Sequence, residues 1–286
     1  MAASEQFKEM RNPSCFLHGP GKAEIEDQPV PELTDPHEVL VRIEFVGVCG
    51  SDVHFWRHGG IQTHITAPLV MGYEASGTVA AVETSVTRVK FWRAPEDFVH
   101  CVAAEGISLQ EVVLLEPLAV AVHGVWLAQI KPGETVIVTG YGTEGMLCAA
   151  VAVRVFGAHR VIVLDCRGQA EENAVAIKHR FDLDEGSVDA VIEASGAQSS
   201  IQLGAGLGES KARAPMLALS EKELRIMGCF RYGADDFALA VEVAERRLVV
   251  LKPLISTVTP FYRATEAWEM AGRGEGIKNL IEGVRD

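Results

Sequence analysis

Apolar and polar residues alternate through Glu38-Val39-Leu40-Val41-Arg42-Ile43-Glu44-Phe45-Val46, rich in β-branched side chains. Alternation over much of this length predicts a strand. Ser76 to Val82 predicts a second strand, and Pro and Gly punctuate the stretch between them. The middle of the chain reads differently. Glu134 to Thr139, Arg160 to Asp165 and Val188 to Gly196 each hold a short apolar run, the mark of strands buried on both faces. Between the first two lies an apolar helical segment, Met146 to Phe156, and two amphipathic helices are predicted near Asp235 to Arg247 and Thr265 to Arg273. Glu223 to Phe230 predicts one further strand. Strands alternating with helices imply right-handed crossovers and a parallel sheet. The expected organisation is a β-rich domain over 1–122, an α/β domain over 123–230, and a tail over 231–286 that returns to the first domain.

One turn carries a specific signal. Gly140-Tyr141-Gly142-Thr143-Glu144-Gly145 follows a predicted strand and opens a predicted helix, and the next strand ends in Asp165. The first glycine permits a tight turn, the second lets backbone approach a pyrophosphate, and the third lets helix pack on strand. Free N–H groups at the helix start favour an anion. Asp165 would accept hydrogen bonds from a ribose and repel a 2′-phosphate, which favours NAD over NADP. Glu144 introduces a carboxylate that is expected to compete with the pyrophosphate.

Composition narrows the classes. The 286 residues carry 39 acidic and 26 basic side chains, a net charge of −13, with no basic cluster, so nucleic acid is not an expected partner. No apolar run reaches the ~18 residues of a membrane span. The six cysteines include no Cys-x-x-Cys pair, which argues against a disulfide framework and a structural zinc knuckle and suits a reducing cytoplasm. The first residues lack the apolar core of a secretory signal.

Gly47-Val48-Cys49-Gly50-Ser51-Asp52-Val53-His54 is the second informative cluster. A lone loop cysteine is more often a small buried hydrophobe. Beside Ser51, Asp52 and His54 it gains other possibilities, because a thiolate can bind zinc and a Ser/His pair can pass a proton. Glu74 and Glu116 supply carboxylates elsewhere; each alone is more often a structural acid. His54, His58 and His64 read as loop residues rather than as a metal-binding face.

Taken together, Val48 to His54, Met71-Gly72-Tyr73-Glu74-Ala75-Ser76-Gly77, Leu115-Glu116-Pro117-Leu118-Ala119-Val120, the glycine turn, Ile192 to Gly196 and Phe230-Arg231-Tyr232-Gly233 resemble the zinc-dependent medium-chain dehydrogenases. The likeness is to their polyol branch, the sorbitol, xylitol and arabinitol dehydrogenases, and it spans most of the chain. It implies a GroES-like β-barrel domain and a Rossmann doubly wound parallel sheet. It also implies oxidation of a small polyol by NAD with catalytic zinc, in a homo-oligomer. By resemblance, Cys49, Glu74 and Glu116 belong to the metal site, Ser51 and His54 to the proton relay, Gly140, Gly142, Gly145, Asp165 and Gly196 to the cofactor site, and Arg231 and Tyr232 to the polyol chain.

The sequence departs from that pattern in identifiable places. Tyr73 stands where the family has its histidine zinc ligand, and a neutral phenol is a far weaker ligand than imidazole. Phe55 stands where polyol dehydrogenases commonly carry tyrosine. Segments are missing between Lys90 and Phe91, after Asp165 and after Gln202, so both domains are expected to be truncated. The expected activity is polyol–ketose interconversion with NAD and zinc, at reduced level. The alternatives are a family remnant without catalysis and a zinc-free reductase in which Tyr73 donates the proton.

Overall fold

Glu38–Gly47 (β3) forms the spine of the first sheet because its alternating side chains bury Val39, Val41 and Phe45. In this computed structural model the described residues are 11–284, apart from 62–63, 83–84, 87–90, 103–105, 166–176, 178, 185, 197–219, 222 and 234. The chain divides into two units, Met1–Leu114 with Leu251–Asp286, and Leu115–Val250.

In the first unit, Asn12–Gly19 (β1) and Lys22–Gln28 (β2) form an antiparallel hairpin, and Leu69–Val70 (β4) joins β1 on its other edge. Gly50–His58 (α1) follows β3. Glu74–Val82 (β5) runs antiparallel along β3, and Ser85–Val86 (β6) pairs with β5. The opposite edge of β3 is shared. Phe91–Pro95 (β7) pairs with Glu38 to Arg42, and Lys278–Glu282 (β12) pairs with Phe45 to Gly47. Ile255–Pro260 (β11) lies parallel to β12 at the far edge. The segment expected to be missing before Phe91 leaves no vacancy on β3 at Glu38 to Arg42, because Phe91–Pro95 supplies β7 there. The unit has the strand content of a GroES-like domain, but among the described residues no ring of strands closes into the expected barrel: β6, β7 and β11 remain edges.

In the second unit, Leu115–Leu127 (α3) continues the short helix Leu109–Val112 (α2) of the first unit after a break at Val113 and Leu114. Residues 109–127 are the one described stretch long and apolar enough to cross a membrane. Leu115, Leu118, Ala119, Ala121, Val122 and Val125 are instead buried, and α3 packs on Thr143–Arg154 (α4) and Asp236–Glu245 (α5). Thr135–Thr139 (β8), Arg160–Leu164 (β9) and Ala190–Glu193 (β10) form a parallel sheet in the order β10-β8-β9. The strand order thus reverses at β8, the position where doubly wound sheets open a ligand crevice. Ala264–Gly272 (α6), in the first unit, buries Ala264, Ala267 and Trp268.

One expected element is absent. Residues 224–230 have no regular secondary structure, and Leu224, Ile226, Met227 and Phe230 are exposed. Strand preference needs a neighbouring strand, and none is paired with this stretch among the described residues. The shortened segments expected after Asp165 and after Gln202 lie at 166–176 and within 197–219, outside the described residues.

Candidate active site

The first cluster is built by β8, α4 and β10. Gly140 leaves β8 with φ +103°, and its N–H donates to the Leu164 carbonyl at 2.8 Å, next to Asp165. A Cβ on Gly140 would come within 2.9 Å of the Ala194 carbonyl carbon and the Ser195 nitrogen, and one on Gly145 would overlap the Gly140 carbonyl oxygen. Both positions are therefore confined to glycine by close approach. Gly142, the residue before the first turn of α4, has nothing within 4 Å of where a Cβ would sit. The turn is open on that side, where the first N–H groups of α4 lack helical partners. Glu193, buried at the end of β10, accepts from the N–H groups of Ser195 at 2.8 Å and Gly196 at 3.0 Å. That fixes the Ala194–Gly196 turn beside Gly140. Gly140, Gly142, Gly145, Asp165 and Gly196 are thus gathered at the C-terminal ends of the three strands, with Asp165 exposed.

Glu144 does not occupy the mouth of this turn as its place in the sequence suggested. One of its carboxylate oxygens is fully buried, and its charge, after burial itself, raises the thiols of Cys148 and Cys229. Glu116 begins α3 in the same unit. Burial first, and then Glu116, raises the Tyr232 phenol, while Arg231 opposes the shift. Arg231 lies over the Phe230 ring at 5.3 Å and has φ 58°, and Tyr232 packs edge-on to Phe237. The residues expected to meet a polyol therefore share an environment with Glu116.

The second cluster belongs to the first unit. Cys49 precedes α1, and its N–H donates to Asp52 Oδ2 at 2.9 Å. Burial pushes the Asp52 carboxyl up to about 6. Ser51 Oγ lies 3.0 Å from Tyr73 Oη, with the Cys49 thiol beside them. Burial, then the charge of Glu74, raises the Cys49 thiol, and burial, then Cys49, raises the Tyr73 phenol. His54 is exposed on α1, 6.0 Å from His58 ring to ring, and among the described residues no hydrogen bond joins it to Ser51. Both histidines sit on a helix rather than in a loop.

Beneath these residues lies an ion pair that sequence reasoning missed. Lys278 on β12 reaches Glu74 on β5, and the two side chains are 3% and 2% exposed. The sheet register explains the meeting. Gly47 on β3 pairs with Glu74 on one side and Leu280 on the other, and a Cβ on Gly47 would overlap Glu74 Oε2 and come 2.9 Å from Lys278 Cε. The missing side chain leaves the notch in which the two charges join. The only signal in the sequence is a lysine two residues before the apolar pair Leu280-Ile281.

Three comparisons bear on this arrangement. The alcohol dehydrogenase GroES-like domain family matches residues 35–91. A probable D-xylulose reductase A of Aspergillus clavatus is 36% identical over 353 positions, covering 96% of this chain and 98% of that protein. The chain belongs to the zinc-dependent medium-chain dehydrogenases, in their polyol branch. The alignment with this relative spans more positions than the 286 residues present, so internal stretches of the relative have no counterpart here. The medium-chain dehydrogenase fold is matched in solved structures as well. The L-idonate 5-dehydrogenase of Escherichia coli superposes with a TM-score of 0.81 at 21% identity, covering 96% of this chain and 98% of that one. A dehydrogenase of E. coli solved with NADH gives 0.79 at 19% identity, covering 95% and 99%.

The nucleotide crevice of this medium-chain dehydrogenase fits a dinucleotide: an open glycine turn, the N-terminus of α4 and an exposed acid at the end of β9. The first unit does not fit a catalytic zinc in the same way. Such sites use three protein ligands and an open fourth position. Here Glu74 is paired with Lys278, and Tyr73, hydrogen-bonded to Ser51, supplies a phenol in place of imidazole. Among the described residues the one group of three ligating side chains within 4.8 Å is elsewhere, at His18, Glu24 and Glu26 on the β1–β2 hairpin.

Proposed function

We propose that this chain is an NAD-dependent oxidoreductase that interconverts a polyol and its ketose, xylitol and D-xylulose being the first pair to test. The observation that carries the reading is the crevice at the reversal of strand order, with the Gly140–Gly145 turn and Asp165 side by side. The choice of substrate rests on the D-xylulose reductase relatives. In this reading the N–H groups at the start of α4 hold the pyrophosphate and Asp165 accepts from the adenosine ribose, which selects NAD over NADP. The nicotinamide supplies or accepts the hydride. Arg231 and Tyr232 offer donors to the hydroxyls of an extended polyol. Ser51, hydrogen-bonded to Tyr73, passes the alcohol proton. The described cysteines Cys15, Cys49, Cys101, Cys148 and Cys229 are free thiols, which suits a reducing cytoplasm.

The test is NADH formation with xylitol and sorbitol, and NADH against NADPH consumption with D-xylulose. Turnover with NADH is expected; none across a polyol panel overturns the reading. A second reading, a family member that binds nucleotide without turnover, is favoured by Tyr73. Thermal unfolding separates the two. NADH at about 100 times its dissociation constant stabilises a binding-competent fold by about 2.7 kcal/mol whether or not turnover follows.

A further inference from the structure

We propose that the position where the family holds its catalytic metal is, in this chain, a metal-free cluster in which Tyr73 hydrogen-bonds to Ser51 beside Cys49 and Lys278 supplies the positive charge that faces Glu74. Tyr73 is the residue that keeps zinc out.

Four observations support this. Tyr73 offers a neutral phenol, and zinc is bound by thiolate, imidazole and carboxylate rather than by phenol. The Tyr73 hydroxyl is already used, 3.0 Å from Ser51 Oγ. Glu74 is as buried as any acid in the chain, and a buried carboxylate needs a partner charge. Lys278, itself 3% exposed, provides it, so the carboxylate does not depend on a cation from solution. Finally, Gly47 opens the notch that lets Lys278 reach Glu74, so the pairing is built into the sheet rather than achieved by a flexible surface side chain.

The consequence is a unit in which the buried Glu74 carboxylate finds its counter-charge within the chain and needs no metal. It is testable without any assay of turnover. Zinc content is measured on purified full-length protein after dialysis, and Co²⁺ is titrated while the near-ultraviolet thiolate-to-cobalt absorption is recorded. That band reports the Cys49 site and not the His18–Glu24–Glu26 group, which contains no sulfur. Wild type is expected to retain far less than about one zinc per chain and to show no thiolate band. Tyr73→His is expected to gain the band and to bind Co²⁺ more tightly by at least about 100-fold. Tyr73→Phe, which has neither hydroxyl nor imidazole, is expected to remain folded and metal-free. Wild-type protein that retains about one zinc per chain, lost in Cys49→Ser, overturns the proposal. So does a Tyr73→His variant that folds and gains no band. A second measurement on wild type alone guards against a variant that does not fold. Its thermal midpoint is expected to be the same with and without EDTA, and a fall on chelation also overturns the proposal.

Discussion

Replacing Lys278 by Met removes the ammonium and leaves Glu74 as a carboxylate 2% exposed in the middle of a sheet. The carboxylate cannot rotate to water, because Gly47, Val113 and Leu280 surround the notch. Removing one partner of such a pair costs about 3–5 kcal/mol. That is a large part of the roughly 5–15 kcal/mol by which a domain is held folded. The double variant Glu74→Gln, Lys278→Met tests the cause. It leaves no uncompensated charge, and replacing a whole buried pair by neutral groups is often close to neutral. Four proteins then close a cycle: wild type, the two single variants and the double. The assay is urea unfolding at pH 7, followed by tryptophan fluorescence. Trp268 is 2% exposed and its ring lies 5.4 Å from that of Trp56, so both report on this unit. The expected outcome is a severe loss for Lys278→Met that is largely recovered in the double variant. A single-variant cost below about 1 kcal/mol, the level of an exposed pair, refutes the argument. So does a double variant whose loss equals the sum of the singles, since contacting residues should couple.

Other consequences can be measured in the same way. Gly145→Ala sets a methyl against the Gly140 carbonyl, where only backbone could yield, so a loss of about 1–3 kcal/mol and a smaller NADH-induced thermal shift are expected; an unchanged shift counts against the packed turn. Ser76 is 3% exposed and donates to the Leu109 carbonyl at 2.6 Å, tying β5 to α2. Ser76→Ala leaves that acceptor bare and is expected to cost about 1–3 kcal/mol in urea unfolding, with a loss under half of that counting against the bond. The Glu38 carboxyl is held below its usual 4.5, chiefly by the N–H of Thr34. A depressed carboxyl contributes stability above its unfolded pKa and loses it as pH falls through the folded value. Glu38→Gln should therefore differ from wild type at pH 7 and converge with it near pH 3; a difference independent of pH rejects the assignment.

The features readable from the sequence were those whose cause is local. The alternation of Glu38 to Val46, the apolar runs of β8, β9 and β10, and the periodicity of α4, α5 and α6 depend on residues a few positions apart. The glycine turn with Asp165 was equally legible, since backbone geometry dictates glycine at Gly140 and Gly145. What stayed hidden depends on residues far apart in sequence. Lys278 gains its meaning from Glu74, across a register set by Gly47. Ser51 has a neighbour in sequence at His54, yet its hydroxyl meets Tyr73, which another strand brings near. Residues 224–230 have the composition of a strand but no described neighbour to pair with. The strand β7 was unreadable for the converse reason: Phe91 to Pro95 has no strong pattern of its own, and only the edge of β3 makes it a strand.

That edge has a consequence for how the chain tolerates shortening. Whether a deletion is survivable depends less on how many residues go than on whether the next segment can take over the hydrogen bonds left behind. At β3, Glu38 to Arg42 pair with Pro95 to Phe91. Clumping through unpaired strands in this sheet should therefore begin at β6, β7 or β11, its edges among the described residues, and spare the centre.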